Sequence, residues 1–432
     1  MKTLASLGLL LTAIWMTAGP TVAEPQKGKP PGRLVVHEWG TFLSVQGSDG
    51  VTLGGMVDSD EVLPLFVESR GIQSWLRCGM TQKMETPVTY FYADRPMDVA
   101  VRVDMPNGVL TNWFPAVREY GPALGDNGFD ISSWSAKGNS KSFLSWPRVQ
   151  VIPEAQSSTK GMQTPAAWLP KTGPDQIWRF ARETDSAILK LRTANDAGNR
   201  LDQYEKFLFY RGLGAFSLPL EIRCGAGSYD GKLSLSLHNH GSHSLRGLIA
   251  VCVDNDSIRF AALGGLEKNA TRILESDDLS TSPDPLAVGV PRVKSVVAQE
   301  LVAAGLFPKE ALAMVNTWEK GYFRTPGLRV LYVLPRQTVD QIIPIQVKPT
   351  PDQLERIMVG RVEVLTPDRE KQIEKFVADL GAANFRVRQT ASVGLTRLGR
   401  LGEPALRRVL ATTKDAEVRA RAQALIDKFT GG

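Results

Sequence analysis

The pattern that decides the fold class lies in residues 218–253, which read LPLEIRCGAGSYDGKLSLSLHNHGSHSLRGLIAVCV. Three short segments, 218–224, 232–239 and 244–253, carry apolar residues with strand periodicity, and turn-forming residues separate them. We therefore predict a three-stranded antiparallel meander. No alternation of strands with helices and no phosphate-binding glycine loop is visible, so the sequence favours a β-sandwich over a doubly wound α/β fold.

Similar strand patterns occur on the N-terminal side of this stretch. Segments 34–42 and 88–92 are rich in apolar and aromatic residues, and segment 99–103 alternates valine with alanine and arginine. Pro106-Asn107-Gly108 supplies a turn before segment 109–113. We predict that the strands on the two sides of this turn pair as a hairpin.

The N-terminus has the features of a secretory signal peptide. Lys2 precedes an apolar run from Leu4 to Met16, and Ala23 ends a segment of small residues. We predict a signal peptide over residues 1–23 that is removed on export, which places the mature chain in the periplasm or outside the cell. A retained N-terminal anchor is the open alternative. No later stretch reaches the roughly 18 apolar residues of a membrane span, so none is expected in the mature chain.

Composition and patterning divide the chain into regions. The 432 residues are 43% apolar and 22% charged, which excludes a disordered polymer and a polytopic membrane protein. We predict an α+β protein with antiparallel β-sandwich-like lobes, a short helical insertion and a C-terminal α-helical module. The predicted regions are a flexible leader at 24–32, a first β-rich lobe with long connections at 33–174, a second β-rich lobe at 175–366 with the helical insertion near 295–320, and the helical module at 367–432.

The C-terminal module contains an internal repeat. Thr366 and Pro367 are typical of a helix N-terminus. Two later helical segments, 387–398 and 418–429, align with each other at an offset of 31 residues. Their spacing of Val-Arg, Ala and Leu or Ile resembles that of HEAT-like helical repeats. Since only about one and a half repeats are present and a free solenoid needs about three, we expect the module to dock on the β-rich lobes.

Four further segments are distinctive: VHEWGTF at 36–42, KMETPV at 83–88, EKFLFYRG at 205–212 and VGRVEVLTP at 359–367. Together they resemble a family of exported bacterial proteins to which no activity is assigned. The resemblance spans most of the chain. It implies a shared fold, and it provides no catalytic residue to carry over.

Basic residues accumulate in the C-terminal module. Residues 367–432 contain 13 basic and 8 acidic residues, whereas the full chain contains 51 and 45. One interpretation is a face for an acidic protein or a polyanionic polysaccharide, and the alternative is an ordinary solvated helical surface. Nucleic acid is unexpected, because the chain is exported and no aromatic residues alternate with the arginines. The candidate binding residues are Arg386, Arg388, Arg397, Arg407, Arg408, Arg419 and Arg421.

Three of the four histidines lie close together, at His238, His240 and His243. If strand alternation continues past His238, the first two imidazoles project from one face and the third closes from across a hairpin. Three imidazoles with an open position would suit Zn²⁺ or Cu²⁺. Apart from such a metal, no cofactor is expected. The alternative is a polar hairpin loop in which these residues favour the turn.

Carboxylates are the other candidates for chemistry. Glu38 and Glu85 could be buried acids with raised pKa, as a hydrolase would use, or structural partners of arginines such as Arg211. His37 shares a strand face with Trp39, which favours a hydrogen-bonded core histidine. No nucleophile motif of the G-x-S-x-G type is present, and glycosidase-like carboxylate chemistry has no short motif to search for.

The cysteine count argues against a disulfide-stapled fold. Only Cys78, Cys224 and Cys252 are present, so at most one intrachain bond can form. Cys224 and Cys252 fall on the outer strands of the predicted meander, where the central strand would separate them. We therefore expect these two thiols not to bond.

These observations lead to two functional hypotheses. The first is an exported binding or assembly protein of the cell envelope, and the second is a secreted carboxylate-based or metal-assisted hydrolase with its site between the β-rich lobes. Clustering of Glu38, Glu85 and Arg211 in one concave pocket would favour the enzyme. Scattered positions would favour the binding protein.

Overall fold

The computed structural model describes residues 33–56, 63–70, 80–122, 142–153, 167–173, 177–194, 200–226, 233–279 and 283–429. The predicted signal peptide, the leader and Cys78 lie outside these residues. The described chain is α+β, with several β-sheets and a C-terminal helical region. Arg33–Gly432 form one compact unit.

Nineteen strands occur in the described residues. In chain order they are β1 (Leu34–Gln46), β2 (Glu68–Ser69), β3 (Gln82–Ala93), β4 (Met97–Met105), β5 (Gly108–Phe114), β6 (Glu119–Gly121), β7 (Ser142–Ile152), β8 (Ile188–Ala194), β9 (Arg200–Glu205), β10 (Phe207–Gly214), β11 (Leu220–Ala226), β12 (Leu233–Asn239), β13 (Leu245–Val253), β14 (Ser257–Leu266), β15 (Thr271–Glu275), β16 (Asp284–Pro285), β17 (Gly327–Val333), β18 (Ile345–Lys348) and β19 (Gln353–Val364).

Eight α-helices occur in the same residues, and a π-helical turn at Glu319–Arg324 follows the third. The helices are α1 (Trp178–Ala181), α2 (Leu286–Ala304), α3 (Pro308–Trp318), α4 (Arg336–Ile342), α5 (Pro367–Asp379), α6 (Phe385–Leu398), α7 (Glu403–Thr412) and α8 (Ala416–Phe429).

A ten-stranded sheet forms the centre of the described chain, in the order β16-β14-β13-β17-β19-β1-β3-β10-β5-β2. Strand β1 pairs in parallel with β19 and antiparallel with β3, and all 13 of its residues are buried. Strands from both predicted lobes therefore belong to one continuous sheet. The four segments on which the family resemblance rests lie side by side in β19, β1, β3 and β10.

Both faces of the central sheet are covered. The six-stranded sheet of β4, β6, β7, β8, β9 and β18 and the three-stranded sheet of β11, β12 and β15 share one apolar core with one face. The α2–α3 pair and the π-helical turn cover the other face, where Val293, Met314 and Phe323 pack near Trp39 and Leu331. Cover on both faces explains why the central strands are buried almost throughout, including charged residues such as Glu38, Glu85 and Arg361.

The predicted meander is wrong in its third strand. Strands β11 and β12 pair as expected, but β12 then pairs with β15, while β13 lies between β14 and β17 in the central sheet. The physical reason is burial. Leu248 to Val251 are buried on successive residues, which requires cover on both faces, whereas β12 alternates between buried and half-buried positions.

The predicted hairpin between β4 and β5 is also wrong. A turn at 106–107 does join the two strands, but β4 pairs with β7 and β18, and β5 pairs with β10 and β2. The chain thus crosses from one sheet to another within two residues. Gly108 permits the crossing, since a Cβ there would lie 2.4 Å from the Leu213 carbonyl oxygen.

The helical pair predicted near 295–320 begins earlier than the sequence suggested. Helix α2 starts at Leu286 and accommodates Pro291 in its second turn. Val290 and Val293 are buried against the sheet, so tertiary packing offsets the backbone hydrogen bond that Pro291 removes. Helix α3 begins at Pro308, as predicted.

The C-terminal helices dock on the central sheet. Ile373 of α5 and Ala405 of α7 pack in a cluster with Leu43 and Val45 of β1, and Ser48 Oγ donates a hydrogen bond to Glu370 Oε2 at 2.6 Å. Helices α6 and α8 contact each other, and apart from Leu398 their core side chains lie in a different cluster from the one on the sheet. They have 14 residues each, and the repeat positions Ala391, Ala422, Leu395 and Ile426 meet in one buried cluster.

Candidate functional site

Glu38 lies in the middle of β1 and is fully buried. Its carboxylate accepts a hydrogen bond from Nε of Arg356 on the adjacent strand β19. The same guanidinium donates to Asp340 Oδ1 and to the Ile343 carbonyl, both at 2.7 Å. Burial raises the pKa of the Glu38 carboxyl, and the Arg356 charge opposes that shift. The network ties β1, β19 and α4 together in the interior.

Glu85 belongs to a second interior network. Its Oε2 accepts a hydrogen bond from the Tyr322 hydroxyl at 2.9 Å and lies 3.6 Å from Arg361 Nη1. Lys83 Nζ lies 3.7 Å from the other carboxylate oxygen. The Arg361 guanidinium stacks on the Tyr322 ring, 4.0 Å from its centroid. Burial, and then the Glu85 charge, raise the pKa of Tyr322 well above its usual value, which keeps the hydroxyl a donor.

Glu363 extends this network along β19. Arg361 Nε donates to Glu363 Oε1 at 2.7 Å, and Arg329 Nε lies 3.0 Å from the same oxygen. Arg329 also donates to the carbonyl oxygens of Tyr322 and Thr325, which belong to and follow the π-helical turn. Removing one of these charges would leave its partner buried and unpaired, so the network fixes β17, β19 and the π-helical turn relative to one another.

Arg211 is fully buried on β10, where it lines a small cavity together with Trp39 and Thr86. The cavity volume is about 30 Å³, which is room for roughly one water molecule. Thr86 has a φ of 46°, an uncommon conformation for a β-branched residue, and the strand registers shift next to Trp39 and Arg211. This strained corner is too small for a sugar or peptide substrate.

Glu38 and Glu85 therefore belong to different interior networks, and Arg211 lies on β10, the strand that pairs with the one carrying Glu85. Glu38 makes no hydrogen bond or ion pair with Glu85 or Arg211 in the part of the chain that the structure describes. The paired carboxylates of a glycosidase must face one substrate from two sides. The two carboxylates belong to different interior networks rather than to one cleft, which is the arrangement that favours a binding protein.

His37 is a hydrogen-bonded core histidine, in agreement with its sequence pattern. Its Nδ1 lies 2.8 Å from Glu310 Oε2, and the Tyr92 hydroxyl donates to Glu310 Oε1 at 2.7 Å. The Phe307 backbone N–H donates to Glu310 Oε2 at 2.8 Å. Sequence reasoning missed Glu310, although a Glu three residues after a helix-capping position is a recognised capping signal. The cluster fastens the start of α3 to β1 and β3.

Two of the three clustered histidines contact different hydroxyl groups. His238 Nδ1 lies 2.9 Å from Thr271 Oγ1 on β15, and His243 Nδ1 lies 2.9 Å from Ser242 Oγ. Strand β12 ends at Asn239, so His240 does not continue its alternation. Among the described residues, no group of three or more His, Cys, Asp or Glu side chains is placed to hold a metal ion. A Zn²⁺ or Cu²⁺ site here stays a prediction.

Cys224 and Cys252 are free thiols, as expected. The reason differs from the predicted one, because the two residues lie in different sheets. Burial raises the pKa of the Cys224 thiol to about 11 and also raises that of Cys252. Neither thiol is activated as a nucleophile.

The seven candidate arginines of the C-terminal module fall into three groups. Three of them form ion pairs within the module, and Arg419 donates to the Thr413 carbonyl at 2.9 Å. The remaining three, Arg386, Arg397 and Arg408, are exposed and make no ion pair with another described residue. The ion pairs are Arg388 with Glu417, Arg407 with Glu403, and Arg421 with Glu417.

Helix α6 presents a mixed surface on the side opposite its buried face. At 100° per residue, Arg386, Thr390, Val393 and Arg397 lie within about 60° of one another around the helix. Val393 is 42% exposed, and Phe385 at the start of the helix is 61% exposed. We call this stripe, together with Phe385, the α6 face. It combines guanidinium groups that make no ion pair with another described residue with apolar side chains that are partly exposed, although the Arg388 guanidinium lies 5.8 Å from the centroid of the Phe385 ring.

A groove runs between α2 and α3 on their outer surface. Its volume is about 790 Å³, and its walls are mostly apolar. Two of its wall residues, Val302 and Leu312, are 40% and 54% exposed. We call it the α2–α3 groove; the residues that line it include Val290, Ala298, Val302, Pro308, Leu312 and Val315.

Within the described residues, no helix combines the length and the apolarity that crossing a bilayer requires.

Comparisons with known proteins supply no relative on which to base a function. No protein-family model and no curated protein matches the chain. The chain is similar to the yeast delta-COP-I mu-homology domain at 10% identity and a TM-score of 0.24, covering 78% of this chain and 98% of that one. The same domain in complex with a Dsl1 WxWxV peptide matches with the same coverage and TM-score at 9% identity. A TM-score this low carries no inference about this chain.

Proposed function

We propose that this chain is an exported binding or assembly protein of the cell envelope, and that the α6 face receives an acidic partner protein. The observation that carries the proposal is the α6 face itself. Arg386 and Arg397 lie about 16 Å apart on one side of the helix, and neither makes an ion pair with another described residue.

The architecture supports the proposal that α6 contacts a partner protein. We propose that the sheets form a β-sandwich-like body and that α5–α8 form a HEAT-like module docked on it. In such a module one helix layer packs on the body and the other is free to contact partners. Helix α5 supplies the docking contacts through Ile373 and Glu370, which leaves α6 in the outer layer.

The composition of the α6 face favours a protein over a polysaccharide. Arginine and aromatic side chains are enriched in protein interfaces, and the face places Phe385 and Val393 among its arginines. A polyanionic polysaccharide would satisfy the charges but would leave these apolar groups in water. An acidic protein surface with an apolar centre satisfies both.

The hydrolase hypothesis has less support. It requires carboxylates that share a cleft, whereas Glu38 and Glu85 lie in separate buried networks. The metal-assisted version requires histidines that converge, whereas His238 and His243 turn to different hydroxyl groups.

The proposal is tested with acidic polymers as probes. Fluorescently labelled poly-L-glutamate, a random copolymer of glutamate and tyrosine, and polygalacturonate are titrated with the full chain. We expect the copolymer to bind most tightly, and its affinity to fall as salt is raised, because charge attraction is screened. Arg386→Glu/Arg397→Glu should weaken binding about tenfold or more, and Phe385→Ala should remove the preference for the copolymer.

The matched control is Arg118→Glu/Arg148→Glu, which changes the net charge equally at exposed positions of the β-rich body. This variant should bind as the parent does. Equal affinity of the parent and the Arg386→Glu/Arg397→Glu variant would overturn the α6 face as the binding surface. A clear preference for polygalacturonate would overturn the choice of a protein partner.

A further inference from the structure

The α2–α3 groove has the dimensions of a helix-binding site. Its α2 wall runs from Val290 to Val302 and its α3 wall from Pro308 to Glu319. At 1.5 Å per residue each wall is roughly 17 Å long, which equals about three helical turns. The groove is therefore long enough for about 11 residues of an added helix.

The groove is too open for a small apolar ligand to be buried in it. Val302 and Leu312, on opposite walls, are 40% and 54% exposed, while Ala298 and Val315 between them are buried. An acyl chain in this position would stay partly in water. An amphipathic helix would bury its apolar stripe on the groove and keep its polar face in solvent.

The two ends of the groove differ in charge. The end near the α2–α3 connection is formed by Val302 and Pro308. At the other end Glu319 accepts from Lys294 at 2.5 Å and from Arg324 at 2.8 Å. Partial burial acts to raise the pKa of Glu319, but the hydrogen bonds and charges of Lys294 and Arg324 together outweigh it, so the pKa is lowered. The end thus carries two cations against one carboxylate, a net charge of +1 on the lining residues.

We infer that the α2–α3 groove binds an amphipathic helix of a partner protein, about three turns long, with an acidic residue at the end that lies against Lys294 and Arg324. The apolar stripe supplies the affinity, and the charged end sets the direction in which the helix lies. This surface is on the helical layer of the central sheet and is independent of the α6 face.

Designed helical peptides test the inference. Three labelled peptides share one leucine stripe with i, i+3, i+4 and i+7 spacing. They carry two glutamates at the N-terminus, two glutamates at the C-terminus, or two lysines at each end. Fluorescence anisotropy with the full chain should show that one of the glutamate peptides binds about tenfold more tightly than the lysine peptide.

Variants assign the binding to the groove. Leu312→Glu should weaken the preferred peptide about tenfold or more, because it places a charge on the apolar wall. Leu65→Glu is the matched control, since Leu65 is 104% exposed and lies elsewhere, and it should have no effect. Arg324→Glu should remove or reverse the preference for the glutamate peptide.

Several results would overturn the inference. Absence of binding by all three peptides would do so, as would equal loss in the Leu312→Glu and Leu65→Glu variants. A dimer that light scattering detects in the parent and that Leu312→Glu dissociates would assign the groove to a second copy of this chain instead. None of these results would affect the polymer test of the α6 face, because the two tests alter different helices.

Discussion

Arginine side chains are buried and paired in the centre of the ten-stranded sheet, whereas two arginines of the C-terminal module are exposed and unpaired among the described residues. Arg356 and Arg361 are 1% and 2% exposed, and each donates to a buried carboxylate. Arg386 and Arg397 of α6 are exposed and have no ion-pair partner among the described residues. A buried guanidinium without a partner would be strongly destabilising, whereas an exposed one costs little.

This difference separates structural charges from charges available for binding. The interior arginines Arg329, Arg356 and Arg361 each donate to a carboxylate and to a backbone carbonyl, so their role is to hold strands and helices together. The exposed side chains of Arg386 and Arg397 on α6 make no ion pair with another described residue. Residue type alone therefore does not distinguish a structural arginine from one that is available to a partner. Burial and ion pairing make that distinction.

The largest expected effect comes from removing an interior arginine. Arg356→Met leaves Glu38 buried without its cation, which should lower the free energy of unfolding by about 4 kcal/mol. Urea unfolding followed by circular dichroism measures the change. Arg336→Met is the control: its guanidinium donates to the same Asp340 at 2.8 Å, but its side chain is 37% exposed, so a loss of at most about 1 kcal/mol is expected. Similar losses of unfolding free energy in both variants would contradict the expectation that burial makes the loss of Arg356 more destabilising than the loss of Arg336.

A somewhat smaller effect is expected in the core of the C-terminal module. Leu406 is fully buried in the cluster that joins α6, α7 and α8, and Leu406→Ala should lower the free energy of unfolding by about 3 kcal/mol. Val393→Ala on the exposed side of α6 should change it by less than about 0.5 kcal/mol. Urea titrations of both variants provide the comparison. If Val393→Ala were as costly as Leu406→Ala, the α6 face would be covered by other parts of the chain.

The smallest effect concerns the reactivity of a buried thiol rather than folding. The pKa of Cys224 is raised to about 11, so below pH 9 its thiolate fraction should be roughly 100-fold lower than that of an unperturbed thiol. Iodoacetamide labelling of Cys224, followed by peptide mass spectrometry, should be much slower in the folded chain than in guanidinium chloride. Because the folded pKa is the higher one, this thiol stabilises the fold below about pH 9, and that contribution is lost as the pH rises towards 11. Equal labelling rates in both conditions would contradict the burial of this thiol.

Local patterns predicted the elements better than their pairing. Alternation located the strands near 34–42, 99–103 and 232–239, and Thr366 does cap α5, since its Oγ1 accepts from the Arg369 N–H. Of the three predicted pairings of neighbouring strands, β11 with β12 is confirmed, whereas β12 with β13 and β4 with β5 were wrong. A strand pattern reports which faces are buried, and it does not report which strand lies alongside.

The candidate sites show the same limit. Burial of Glu38 and His37 could be inferred from their apolar neighbours in β1. Their partners could not, because Arg356 is 318 positions from Glu38 and Glu310 is 273 positions from His37. The α2–α3 groove could not be predicted from the sequence either, since it depends on how two helices pack rather than on any motif within them.

The sequence by itself determined the local elements: the alternating strands, the starts of α3 and α5 at their prolines, and the 31-residue repeat that became α6 and α8. These follow from the backbone preferences and side-chain periodicity of short segments. Only the tertiary structure decided that strands from both halves share one sheet, that Glu38 and Glu85 belong to different networks, and that Arg386 and Arg397 make no ion pair with another described residue. Those outcomes depend on contacts between residues far apart in the chain, where burial and ion pairing, rather than local preference, select the arrangement.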